Sequence, residues 1–136
     1  MKNTKLYRLL FEAVEDNKQQ PSTDVKSVAV YVRNEMSDNK NAFIESSLIN
    51  ETGEIISFGY SVKMKDSGWE GSVSFEVNKA NLVARSIKRG AKIKESTKDF
   101  IPDGSKGKQE NLEDLKRFII HEINSLIQLG MFAAYM

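Results

Sequence analysis

The chain has no cysteine. Disulfides, thiolate zinc sites and thiol nucleophiles are therefore all excluded. A cytoplasmic location is the expectation that goes with this. There is one histidine, His121, and position 125 is Ser, so the two-histidine helix of a zinc protease is missing. No G-x-S-x-G occurs, and no carboxylate set has metal spacing. A general base needs a nucleophile or substrate within reach, and no such pair can be read. A non-enzyme that requires no cofactor and no metal is expected. Net charge is also nearly absent: 20 basic residues face 19 acidic ones. A protein that coats DNA would be basic overall. The most apolar run, "FIIHEINSLIQLGMFAAYM", is broken by His121, Glu122, Asn124 and Gln128, too polar for a membrane span. The N-terminal apolar stretch is interrupted by Arg8, Glu12 and Glu15, which argues against a signal peptide.

What is present suits one domain of 136 residues with a real core. Leu6, Leu9, Leu10, Ala13 and Val14 recur at helical spacing, predicting a short helix over 4–17 within an N-terminal segment 1–20. Pro21 ends it. From Val25 the period reads as two, with Val28, Val30 and Val32 on one side, and a sheet is predicted over 25–77. Its four strands cover "VKSVAVYVR", 42–49, 55–65 and 69–77. Gly53 supplies a tight hairpin between the second and third. In the third, Ile56, Phe58, Tyr60, Val62 and Met64 share a face. In the fourth, Trp69, Val73, Phe75 and Val77 face in while Glu70, Ser72, Ser74 and Glu76 face out.

Asn78 reads as the cap of a short basic helix, 78–90, with Leu82, Val83 and Ile87 beneath and Gly90 as its stop. Residues 91–108 read as a long loop in which Ile93, Phe100 and Ile101 could build a fifth, irregular strand. A C-terminal helix spans 110–133. The fold class is α+β: an antiparallel meander of four to five strands, a short N-terminal helix, the basic helix, and the long C-terminal helix packed on the sheet. The apolar arc of that last helix is wider than one sheet face can cover, so a homo-oligomer through it is expected.

Charge is unevenly placed. Residues 83–98 carry six bases and one acid, a net +5 in a chain of net +1, and no acid occurs from 80 to 94. Arg85, Lys88, Arg89 and Lys92 would share the outer face of the basic helix and could grip phosphate oxygens. Lys106 and Lys108 lie in "PDGSKGKQEN", a glycine-bearing loop before a helix but not a Walker A sequence. Tyr31 and Arg33 pair an aromatic with a base, as on sheets that stack nucleobases. These eight residues are the candidate ligand site. The expected function is a non-catalytic binding protein for a nucleotide or single-stranded nucleic acid, with the site completed across an oligomer interface. The alternative is a small inhibitor or adaptor that binds a host protein, as phage and mobile-element products do to block or sequester host defence factors.

Overall fold

The computed structural model describes residues 24–135; the helix expected at 4–17 lies outside them. Helix α1 is Val25–Met36. Strands β1 Ala42–Ser46, β2 Asn50–Thr52, β3 Ile55–Met64, β4 Glu70–Asn78, β5 Ala84–Gly90 and β6 Ser96–Phe100 follow, then helix α2 Lys108–Ala133. All pairings are antiparallel, in the order β1-β3-β4-β5-β6, with β2 also paired to β3 beyond β1. The α+β class and the meander are as expected. No helix among the described residues is long and apolar enough to cross a membrane.

Residues 25–33, expected as a strand, are helical. Asp24 caps them: the Ser27 amide donates to Asp24 Oδ1 (2.9 Å) and the Asp24 amide donates to Ser27 Oγ (3.1 Å). Val25, Val28, Ala29, Val32 and Met36 are buried, a spacing of three and four. Val28, Val30 and Val32 fit a period of two as well, and β-branched residues lower helix propensity only by tenths of a kcal/mol, up to about 0.7 each. The cap and the burial of one stripe decide the outcome.

Strands β3 and β4 form the centre. Phe58 stands opposite Phe75, their rings stacked at 5.5 Å. Phe75 meets Phe118 of α2 edge-on, and Phe118 meets Phe100 of β6. α1 and α2 pack side by side on this inward face. That explains the wide apolar arc of α2: Leu112, Leu115, Ile119, Ile123 and Leu126 are all buried within this one chain.

The basic helix expected at 78–90 is a turn and a strand. Asn78 Oδ1 accepts from the amides of Ala80 (2.8 Å) and Asn81 (3.1 Å), and Leu82 takes φ 63°, so the chain reverses. Asn78 initiates a side-chain-stabilised turn instead of a helix. In β5, Ala84, Ser86 and Lys88 point inward, while Arg85, Ile87 and Arg89 point outward. Two of the three inward residues are polar, which hid the alternation. The loop expected over 91–108 contains β6, paired to β5 with Ile87 opposite Thr97. It is the fifth strand that Phe100 hinted at.

Trp69 locks the end of the sheet to α2. Its ring lies so close to Gly71, Gly90 and Gly130 that a Cβ on any of them would come within 2.5 Å of it. Its Nε1 donates to Ala91 O at 2.6 Å.

Candidate ligand-binding face

Both helices cover one face of the sheet, so among the described residues the other face is open. The inward alternation of β3 and β4 forces Ser57, Gly59, Ser61, Ser72 and Ser74 outward. Register then brings them into rows: Gly59 beside Ser74 beside Ile87, and Ser61 beside Ser72 beside Arg89. The result is a shallow groove of about 490 Å³ with a floor of hydroxyls. Ser57, Ser61, Ser72 and Ser74 make no side-chain hydrogen bond among the described residues. The floor is made of small polar side chains, half-buried or exposed.

Arg85 and Arg89 stand on the β5 side of the groove, roughly 13 Å apart along the strand. Each is held by an acid. Arg85 Nε donates to Asp99 Oδ1 at 2.8 Å and its Nη2 to Oδ2 at 3.4 Å. This pairing raises the Arg85 pKa and lowers that of Asp99. Arg89 Nε donates to Glu95 Oε1 at 3.0 Å. All four side chains are more than half exposed. Glu45 and Glu76 add two more acids to the groove wall. Its two cations thus face four acids, and it offers hydrogen bonding without a net positive field.

The other expected site residues are dispersed. Lys88 lies on the opposite face, buried in an ion pair with Glu122 of α2, whose Oε1 also accepts from Ser86 Oγ at 2.8 Å. The strand geometry of β5 alone separates Lys88 from Arg85 and Arg89. Lys92 is exposed in the β5–β6 turn with φ 64°. Tyr31 is half-buried on α1 with Lys116 Nζ 4.2 Å over its ring, so that face is occupied. Arg33 is half-buried on α1 and lines a separate cleft. Lys106 pairs with Asp114 at 2.8 Å, raising its own pKa and lowering the aspartate's. Lys108 is the exposed first residue of α2. The loop before α2 is tied up internally, since Asp103 Oδ1 accepts from the Ser105 amide and hydroxyl.

The serine floor is the part of this candidate face that sequence reasoning does not single out. The alternation of β4 places Ser72 and Ser74 outward, where a hydroxyl reads as merely solvent-facing. The available signal was the run of small hydroxyls on two adjacent strands. Among the described residues no group of three or more His, Asp or Glu could hold a metal. Compared with known family models, curated proteins and solved structures, the chain matches none.

Proposed function

We propose that the protein is a non-catalytic binding module that engages a protein partner across the open sheet face, acting as an inhibitor or adaptor. The observation that carries this is the pairing of a floor of small serine hydroxyls with two arginines already matched by acids. A polypeptide surface can satisfy such hydroxyls and re-pair Arg85, Asp99, Arg89 and Glu95 across the interface. The sheet edges are poorer docking sites. β6 is short and carries Lys98 and Asp99, and the opposite edge is broken between β1 and β2 by Ser47, Leu48 and Ile49. The test is co-purification with the Ser61→Lys/Ser74→Lys variant beside the wild type, after nuclease treatment. The wild type retains one stoichiometric protein and the variant loses it. Equal retention by both overturns the reading.

A second reading, a phosphate-bearing ligand, is favoured by Arg85 and Arg89 sharing this face with exposed acid partners that a stronger anion can displace. In that case Arg85→Glu with Arg89→Glu abolishes nucleotide or nucleic-acid binding. A steep loss of affinity with salt marks a nucleic acid, a shallow one a single nucleotide. Self-association is proposed through the end of α2, where Met131, Phe132 and Tyr135 are exposed. Native mass spectrometry of Phe132→Asp is expected to show loss of any oligomer the wild type forms, and an unchanged oligomer removes this contact.

A further inference from the structure

Arg33 sits in the last turn of α1, half-buried, facing the break between β1 and β2. It lines a cleft of about 190 Å³ together with Ser46, Ser47, Ile49 and Tyr60. Among the described residues it has neither a hydrogen-bonded nor an acidic partner. That sets it apart from Arg85, Arg89 and Arg117, each of which is bound to a carboxylate. Among the described residues no acid lines this cleft, whereas Glu45 and Glu76 line the outer groove. The Ser46 hydroxyl makes no side-chain hydrogen bond among the described residues. Tyr60 donates to Ala29 O at 2.8 Å, which fixes the phenol as part of the wall. Desolvation raises the Tyr60 pKa and the nearby Arg33 charge opposes that rise.

A cation in a last helical turn complements the negative end of the helix. That accounts for the charge at this position. It does not account for a half-buried arginine on a cleft that holds hydroxyls and, among the described residues, no acid. Guanidinium groups with unused N–H donors bind planar or tetrahedral oxyanions by paired hydrogen bonds. The volume is below the roughly 300 Å³ at which pockets begin to take whole drug-sized ligands. It suits one anionic group and not an entire nucleotide.

We propose that this cleft is an anion subsite that takes a single oxyanion group, carboxylate or phosphate, on the Arg33 guanidinium with the Ser46 hydroxyl as a second donor. The site does not depend on what occupies the outer face. The cleft and the outer groove share Ser46, Ser47, Leu48, Phe58, Gly59 and Tyr60, so they lie on two sides of the same break in the edge ladder. A ligand crossing that break would find its charge anchored at Arg33.

The test is an NMR titration of the full chain with sodium phosphate and, separately, sodium acetate, at constant ionic strength set with sodium chloride. At least one of the two oxyanions is expected to give saturable shifts, in the millimolar range, at Arg33 Nε–H and the amides of 46–49. Saturation by phosphate alone assigns a phosphate subsite, and saturation by acetate alone a carboxylate subsite. Arg33→Gln is expected to abolish the shifts while keeping a folded spectrum, and Ser46→Ala to weaken binding several-fold. The proposal is overturned if neither anion exceeds the chloride control, or if Arg33→Gln shifts as the wild type does.

Discussion

Replacing Lys88 by Met is expected to be among the most damaging single changes in the sheet. Lys88 is 6% exposed and Glu122 is 1% exposed, and Ser86 beside them is fully buried. Glu122 Oε1 serves both the Lys88 ammonium and the Ser86 hydroxyl. Without Lys88 the carboxylate keeps only one hydroxyl donor in a dry site. Losing one partner of a buried ion pair costs about 3–5 kcal/mol. At ~4 °C per kcal/mol for a domain of this size, the melting temperature falls by about 12–20 °C. Glu122→Leu is expected to cost a similar amount, since it strands the ammonium. Replacing the whole set, Lys88→Met with Glu122→Leu and Ser86→Ala, removes every stranded group and is expected to lie within ~2 kcal/mol of wild type, on either side. The assay is urea unfolding followed by circular dichroism, with midpoints compared at constant slope. A Lys88→Met unfolding free energy within about 1 kcal/mol of wild type, in a buried-pair site expected to cost several times that, refutes the reasoning.

Two further outcomes follow from single contacts. Glu51 of β2 lies between Lys26 of α1 and Lys79; hydrogen bonds from these two lysines, Lys26 first, hold its pKa at about 2 against an ordinary 4.5. A depressed carboxylate contributes stability that is present above its ordinary pKa and is lost as pH falls through about 2. The Glu51 carboxyl carbon should therefore titrate near 2 in the folded protein and move upward in Lys26→Met; titration near 4.5 in the wild type would contradict the bridge. Gly130→Ala places a methyl 2.4 Å from the Trp69 ring, so the ring must shift, at a cost of about 1–3 kcal/mol. The only tryptophan of the chain reports this directly as a change in fluorescence emission, and an unchanged spectrum with unchanged stability would show that the cradle is not tight.

The legible parts of the fold were those where burial and hydrophobicity coincide. β3 and β4 present five and three apolar side chains inward at period two, and α2 keeps its stripe over seven turns. α1 was ambiguous because valines at 28, 30 and 32 satisfy both periods, and the Asp24–Ser27 cap settles the matter only once its geometry is seen. β5 was illegible for a different reason. Its inward side holds Ser86 and Lys88, whose burial depends on Glu122, 36 and 34 residues further along the chain. No local pattern carries that information. The site followed the same logic. Arg85 and Arg89 were readable as a basic pair, but the strand, not a helix, decides that they share a face with four serines and not with Lys88.

The central claim is that the open sheet face is the binding surface, and site-specific photo-crosslinking tests it most directly. A benzophenone side chain replaces Ser74 in the groove floor or, in a second variant, exposed His121 on α2. Irradiation in cells should give one protein adduct of defined mass from position 74 and none from position 121. An adduct from position 121 alone, or from neither position, contradicts the claim.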